Sequence, residues 1–264
     1  MALIDGLVSY WKLDETSGTT ATDAHGSNDG TNNGAALGTA GKIGNAYDFE
    51  TGDNDNVQIA NESNFDFTTG MSISCWIKLE AENSYFSPAR IVSKAGSWEL
   101  VYPIGATNTW GFTYIDGAGV LNLRSATTTG VWYHVVATYD TTNGGALYID
   151  TNVATTADTG DLVPNDVAVW FGAYSPSPTG GYELDGLLDE VGIWNRALTS
   201  DEVSELYNGG SGLAYPLVAA GTNMQINVDD TLKEVAAAYV NVDDAWKEVS
   251  KAYVNVDDNW KEVF

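Results

Sequence analysis

Apolar and polar side chains alternate with a period of two along most of the chain before residue 195. In residues 71–79 the odd positions are apolar and the even ones mixed, and residues 131–140 repeat this pattern. Such alternation is typical of β-strands that bury one face. Shorter stretches of this kind lie at 6–13, 45–50, 56–60, 90–94, 98–102, 110–115, 120–124, 146–150, 167–172 and 183–194. Turn sequences separate them, so the pattern predicts an all-β fold, a two-sheet antiparallel jelly-roll sandwich.

One short helix is predicted at the end of this region. Thr199 and Glu202 have the spacing of a capping box, and acidic residues in the first turn suit the helix dipole. Gly209 and Gly210 can end the helix in the left-handed conformation. We therefore place a jelly-roll domain at residues 1–210 and a linker at 211–223, where the periodicity disappears.

A 14-residue repeat begins at positions 226, 240 and 254. In each copy two short stretches flank an Asp-Asp pair, a pattern that predicts a minimal β-hairpin, so residues 224–264 form a repeat module. A hairpin alone is marginally stable in water, so we expect the module to serve in assembly or attachment, with packing on the jelly roll as the alternative. The candidate assembly residues are Tyr239, Val240, Trp246, Tyr253 and Trp260.

Five stretches in the first 210 residues resemble a known family. Residues 7–15, 41–49, 71–78, 132–140 and 184–198 resemble, in that order, the successive blocks of laminin G-like, or concanavalin A-like, jelly-roll domains. The resemblance implies the same fold as the alternation does. It leaves the function open, because this fold carries lectins, adhesion modules and glycosidases.

The charge of the chain narrows the classes of partner. Asp and Glu number 36 against 11 Lys and Arg, which gives a formal net charge of −25 and a pI of about 4.1. Such a chain repels phosphate backbones and anionic lipid, so nucleic acid and membrane surfaces are poor partners, and no apolar stretch predicts membrane insertion. Divalent cations and neutral ligands such as glycans fit better.

The resemblance also implies a calcium site. The family often binds one calcium ion through a carboxylate of the closing strand and oxygens of the opening segment. The matching positions are Asp189, Asp14 and Glu15, and Asp53 and Asp55 form a second loop rich in the hard oxygen ligands that calcium prefers. Acidic residues also favour turns and solvent, which is the alternative explanation for these positions.

Aromatic side chains are the candidate sugar contacts, because sugars pack their apolar faces on Trp and Tyr rings. The middle strands and the loop after residue 172 supply candidates, although most aromatic residues of a β-sandwich belong to its core. These candidates are Trp98, Tyr102, Trp110, Tyr114 and Tyr174.

The sequence does not predict catalysis. Glu183 and Asp185 fit the first two acids of the Glu-x-Asp-x-x-Glu motif of glycosidases with this fold, but Leu188 occupies the third acidic position. His25 and His134 are isolated, and Cys75 lies on an apolar strand face. We therefore expect a protein that is not an enzyme, with a glycoside hydrolase as a lesser alternative.

The repeats are similar to those at the ends of bacteriophage tail and other virion proteins. The first residues lack the features of a signal peptide and Cys75 is the single cysteine, as expected for a protein made in a host cytoplasm and carried outside on a virion. The resulting hypothesis is a virion surface protein that recognises a glycan or host surface and forms a homo-oligomer, for which a trimer would suit a fibre. A structural protein that decorates a capsid or tail is the alternative.

Overall fold

A computed structural model describes residues 2–81, 88–103, 109–114, 119–125, 127–157, 159–173 and 182–217, and six strands between 224 and 262. The chain divides into two compact units, residues 1–217 and 218–264. The first unit therefore includes residues 211–217, which the sequence assigned to a linker. None of the helices in the described part is long and apolar enough to cross a membrane.

The first unit contains two antiparallel sheets, which confirms the predicted jelly-roll sandwich. In sheet A, strand β1 (Leu7–Trp11) pairs with β16 (Gly186–Trp194), outside the main order. The main order of sheet A is β14 (Asn152–Thr156), β13 (Gly144–Ile149), β12 (Trp132–Asp140), β7 (Gly70–Leu79), β16 (Gly186–Trp194), β5 (Asn45–Phe49) and β4 (Ala36–Ala40). The order in sheet B is β11 (Gly119–Arg124), β10 (Thr109–Tyr114), β9 (Trp98–Tyr102), β8 (Ala89–Lys94), β15 (Val169–Phe171), β6 (Asn56–Ile59), β3 (Gly30–Asn33) and β2 (Thr20–Ala21).

The core lies between the two sheets and is formed by the inward-facing positions that the alternation predicts. In β7 these are Ile73, Cys75 and Ile77, and all three are fully buried. Each large apolar side chain buried in this way contributes about 1.5–3 kcal/mol. The prediction that Cys75 belongs to the core is confirmed, and burial raises the pKa of its thiol.

A second apolar cluster covers the outer face of sheet A. The helix α1 (Ser200–Tyr207) contributes Val203 and Leu206 to it, and the segment that follows α1 contributes Leu217. The predicted capping box is present, since Thr199 and Glu202 bond each other's backbone N–H. The left-handed residue at the end of α1 is Asn208, just before the predicted glycines, and a 3-10 turn (Asn208–Gly210) follows.

The second unit contains three separate hairpins. They are β17 (Met224–Val228) with β18 (Thr231–Val235), β19 (Tyr239–Val242) with β20 (Ala245–Glu248), and β21 (Tyr253–Val256) with β22 (Asn259–Glu262). In the second hairpin Val240 pairs with Lys247 and Asn241 with Trp246, and the third repeats this register fourteen residues later. The repeat in the sequence is therefore a repeat of hairpins.

Candidate functional site

The structure separates the five predicted calcium ligands into two groups. Asp14, Glu15 and Asp189 lie near the junction of β1, β16 and the turn at 41–44, where Asp14 contributes to the charge around Asp189. Asp53 and Asp55 lie in the loop after β5, beside Glu183. The five do not surround one point.

A β-bulge in β16 turns two adjacent carboxylates toward the same side. The register of β16 against β7 shifts between Asp189 and Gly192, and Glu190 has a left-handed φ of 52°. Successive strand residues normally point to opposite faces, but such a bulge can re-aim one of them. Asp189 is fully buried and Glu190 is 3% exposed.

Asp189 holds the turn at 41–44 and keeps one oxygen without a donor. Its Oδ2 accepts the backbone N–H groups of Lys42 and Ile43 at 2.7 and 2.9 Å, whereas its Oδ1 has no hydrogen-bond partner. Burial raises the pKa of Asp189 to about 7, and the Asp14 charge adds to this rise, while the backbone N–H groups of Ile43, Lys42 and Glu190 oppose it. A cation at Oδ1 would stabilise the ionised carboxylate.

Glu190 has a similar environment and is a residue that the sequence analysis missed. Tyr10 donates its hydroxyl to Oε2, while Oε1 has no partner. Burial raises the pKa of Glu190 to about 8, although the Tyr10 hydrogen bond lowers it and the Asp189 and Asp14 charges raise it. Glu15 differs, because its oxygens accept from the Thr22 N–H and the Tyr47 hydroxyl.

Carboxylates from three chain segments gather at one end of sheet A. Oxygens of Asp48, Glu50 and Glu80 all lie within 4.8 Å of one another, and this is the set of three potential metal ligands that the described residues contain. Charges of four further acids reach this set or its neighbours. We call the seven together the acidic rim: Asp48, Glu50, Asp53, Asp55, Glu80, Glu183 and Asp185.

Backbone donors hold the rim loop in place. Glu183 accepts the Gly52 N–H at 2.9 Å, and Asp55 accepts the Glu50 N–H at 3.0 Å. Burial raises the pKa of Asp48, and the Glu80 charge raises it further, while Lys78 lowers it. The rim is therefore a place where like charges repel and where a hydrogen-bond donor or a cation would be stabilised.

An aromatic ring lies in the same row of sheet A as the rim. Asp48 pairs with Leu187, Leu187 with Lys78, and Lys78 with Trp132. Paired residues share a face, so Asp48, Lys78 and Trp132 all lie on the outer face. Trp132 is half-buried, and the Lys78 ammonium lies 5.6 Å from the centre of its ring. Trp132 lies in one of the stretches that resemble the family and was not among the predicted sugar contacts.

Three of the predicted sugar contacts are corrected by the structure. Trp98, Tyr102 and Trp110 are fully buried and belong to the core between the sheets, because they take the inward positions of β9 and β10. Their rings are therefore closed to a glycan. The side chain of Tyr114 and all of Tyr174 lie outside the described residues.

Sheet B carries a charged and aromatic group on its other face. Arg90 Nε lies 2.8 Å from Glu99 Oε2, and its guanidinium lies over the Tyr182 ring at 4.8 Å. Trp170, paired with Ser93 and Gln58, is 2% exposed and its Nε1 has no hydrogen-bond partner. This face was not among the sequence predictions.

The predicted assembly residues Tyr239, Val240, Trp246, Tyr253 and Trp260 all lie in strands of the hairpins. Tyr239 pairs with Glu248, and Tyr253 takes the same place opposite Glu262. Their side chains lie outside the described residues, so the assembly role stays a prediction.

Comparison with known proteins identifies the fold. Trypanosoma rangeli sialidase matches with a TM-score of 0.59 and 16% identity over 80% of this chain and 34% of the sialidase. Domain 4 of AbnA, a GH43 extracellular arabinanase from Geobacillus stearothermophilus solved with arabinotriose, matches with a TM-score of 0.57 and 18% identity over 75% of this chain and 96% of that domain. The binding domain of Paraclostridial Mosquitocidal Protein 1 matches with a TM-score of 0.57 and 16% identity over 79% of this chain and 53% of the other. The chain thus spans about a third of the sialidases it matches.

These matches correct the prediction that the chain is not an enzyme. The structures that share its fold include sialidases, one of them with sialic acid, and a domain of an arabinanase. The fold therefore gives no ground for excluding glycoside hydrolysis.

A search of curated protein sequences gave no significant match. The family model of the laminin G type, described as the Concanavalin A-like lectin/glucanases superfamily, matches residues 51–204, which is more than half of the chain. The order of strands in both sheets agrees with a jelly roll. The chain therefore belongs to the concanavalin A-like lectin/glucanase superfamily.

Proposed function

We propose that the first unit of this chain recognises a glycan. The observation that carries the proposal is membership of a superfamily described by its lectins and glucanases, two kinds of protein that bind carbohydrate. The match to nearly the whole of an arabinanase domain solved with arabinotriose supports it.

The acidic rim and Trp132 are the proposed binding surface. Sugar hydroxyls are good donors to carboxylates, and Glu50 and Glu80 are both exposed at the rim. Trp132 supplies a half-buried ring on the same face, on which a sugar can pack. The two features together give the polar and apolar contacts that carbohydrate recognition needs.

Titration of immobilised glycans with paired variants tests this surface. Glu50→Gln/Glu80→Gln and Trp132→Ala should each weaken binding at least about tenfold, the effect of losing about 1.4 kcal/mol. The control Asp161→Asn/Asp166→Asn removes two exposed carboxylates outside the rim and should leave binding unchanged. If neither Glu50→Gln/Glu80→Gln nor Trp132→Ala changes binding, the binding site lies elsewhere.

Glycoside hydrolysis is the second candidate, favoured by the spacing of the rim acids. Retaining glycosidases use two carboxyl groups about 5–5.5 Å apart, one of them with a raised pKa. Asp48, Glu50 and Glu80 have oxygens within 4.8 Å, and burial together with neighbouring acids raises the pKa of Asp48. Release of reducing ends from polysaccharides, lost in Glu80→Gln and kept in Asp161→Asn, would establish this activity.

Calcium is proposed as a structural ion near Asp189. The free Oδ1 of Asp189 and the free Oε1 of Glu190 are buried oxygens without donors, and Asp14 lies close enough to raise the pKa of both groups. Hard oxygens of this kind are the ligands that calcium takes. The ion would neutralise this cluster and fix the turn at 41–44 against β16.

The repeat module is proposed to join this chain to copies of itself or to other proteins of a virion. Each hairpin has two strands, and hairpins of this size need further packing to be stable. The location on a virion surface rests on the similarity of the repeats to those of bacteriophage tail proteins. Under this proposal the jelly roll faces the host glycan and the hairpins hold it on the particle.

A further inference from the structure

We infer that the glycan recognised by this domain is uncharged, and that sugars carrying a carboxylate or a sulfate are discriminated against. The inference rests on the proposed glycan-binding function and adds the chemical class of the ligand. Two observations carry it: the sign of the charge at the acidic rim, and the partners that the cations of the domain already have.

The rim would repel an anionic sugar. Oxygens of Asp48, Glu50 and Glu80 lie within 4.8 Å of one another. Beyond the effect of burial, the Glu80 charge raises the pKa of Asp48 and the Asp53 charge that of Asp55. Lys78 is the cation in the same strand row, and its ammonium lies over the Trp132 ring. Repulsion between like charges about 5 Å apart near a protein surface is large enough to weaken binding on the order of tenfold.

Apart from Arg124, whose side chain lies outside the described residues, the Lys and Arg side chains of residues 2–217 contact acids or aromatic rings of the same domain. These contacts are Lys12 with Asp14, Lys42 with Trp76, Lys78 with Trp132, Arg90 with Glu99, Lys94 with Glu62 and Asp66, and Arg196 with Glu202. Arginine is the side chain best suited to bind a carboxylate. Arg90 and Arg196 each hold a protein carboxylate, at 2.8 and 2.7 Å. To bind either of these arginines, an anionic sugar would have to displace the carboxylate that the arginine holds.

The rim favours an uncharged sugar. Each of its hydroxyls can donate to a rim carboxylate, and hydrogen bonds to an ionised acceptor are stronger than those between neutral groups. Sialic acid carries a carboxylate, whereas arabinotriose is a neutral polyol. One of these sugars was solved with a sialidase of which this chain matches about a third, the other with the arabinanase domain, and the rim suits the second kind.

The test measures binding of the full chain to matched glycan pairs that differ by one sialic acid, uronic acid or sulfate, in chelator so that no cation bridges the charges. The neutral member should bind at least about tenfold more tightly, and the difference should shrink in high salt. The difference in affinity between the two members of a pair should be smaller in Glu50→Lys/Glu80→Lys and unchanged in the control Asp161→Lys/Asp166→Lys.

Equal or tighter binding of the charged members would overturn this inference and leave glycan recognition standing. Absence of binding to every glycan would overturn both. Discrimination that persists unchanged in Glu50→Lys/Glu80→Lys would also overturn it, because the charge of the rim would then not be its cause.

Discussion

At the scale of single residues, His134 shows how burial fixes a protonation state. It lies on β12, is 1% exposed, and packs against the rings of Trp76 and Tyr207. Its Nε2 is 2.9 Å from Ser74 Oγ, and its Nδ1 has no partner. Burial lowers the pKa of His134 to about 3, and the nearby Lys42 charge adds to this. The imidazole is therefore neutral in the folded protein at neutral pH.

This neutral histidine should make the protein less stable in mild acid. In the unfolded chain the pKa of this histidine is about 6.5, so below that pH the unfolded chain binds a proton that His134 does not bind in the folded state. The free energy of unfolding therefore falls as the pH falls toward 3. Between pH 7 and pH 5 the loss should be about 2 kcal/mol. Urea unfolding of wild type and His134→Gln at both pH values checks this. The comparison isolates His134, since Asp189 and Glu190, with raised pKa values, act in the opposite direction in both proteins.

The stability advantage of the wild type over His134→Gln should therefore shrink by about 2 kcal/mol at pH 5. A constant difference at the two pH values would show that His134 is protonated in the folded state.

Asp189 should couple stability to calcium. An ion that binds the folded state alone raises its stability by mass action, so chelation should lower the Tm of calcium-loaded protein. Asp189→Asn should reduce this shift, because it removes the charge that faces the ion. Asp161→Asn, an exposed acid away from the cluster, is the control and should keep the full shift. Thermal unfolding with calcium and with chelator measures this shift in Tm. If chelator leaves the Tm of calcium-loaded wild type unchanged, the proposed site is wrong.

The sequence predicted which acidic residues belong to candidate sites better than it predicted where in the fold they meet. Asp189 was expected from the family resemblance, but Glu190 follows it in the strand and would point to the other face without the bulge. The rim was missed because Asp48, Glu80 and Asp185 are far apart in sequence and meet through the pairing of β5, β16 and β7. The periodicity placed Trp98 and Tyr102 on one strand face without deciding that this face is the core.

At the scale of elements, α1 depends on its cap. Thr199 Oγ1 accepts the Glu202 N–H at 3.3 Å, Glu202 accepts the Thr199 N–H at 2.8 Å, and Arg196 holds the same carboxylate. Thr199→Ala should lower the free energy of unfolding by about 1 kcal/mol, the usual effect of losing such a cap. Thr199→Ser keeps the oxygen and should recover most of it. Urea denaturation distinguishes them, and equal losses in both variants would assign the effect to the Thr199 methyl group.

Elements with a strong period were predictable and those without it were not. The long strands β7, β12 and β16 agree with the sequence to within a few residues, although nearly all of their residues are buried, on both faces of sheet A. The strands β3 and β4 contain Gly, Asn, Thr and Ala, and β14 is mainly exposed, so their pairing reflects neighbouring strands rather than their own pattern. Asn32 and Asn33, at the end of β3, and the following Gly34 have a composition typical of turns.

At the scale of the whole molecule, the charge and the division into two units suggest a separation of tasks. The first unit has its own core between two sheets and a second apolar cluster under α1. The second unit consists of two-stranded hairpins, each of which leaves two strand edges to pair with something else. A formal net charge of −25 opposes non-specific association, so contacts between copies require a specific surface.

Deleting residues 218–264 should therefore separate folding from assembly. The first unit should stay folded and monomeric because it keeps both apolar clusters, while the full chain should form a larger species that light scattering detects.

In the full chain, Trp246→Ala/Trp260→Ala should reduce this assembly, because large aromatic side chains dominate most interfaces. Gln225→Ala/Glu234→Gln, a paired position of the first hairpin that holds no candidate assembly residue, is the control. If full chain and truncated protein have the same subunit number, the hairpins do not join copies of this chain, and co-purification with other virion proteins decides whether they attach it to a particle instead.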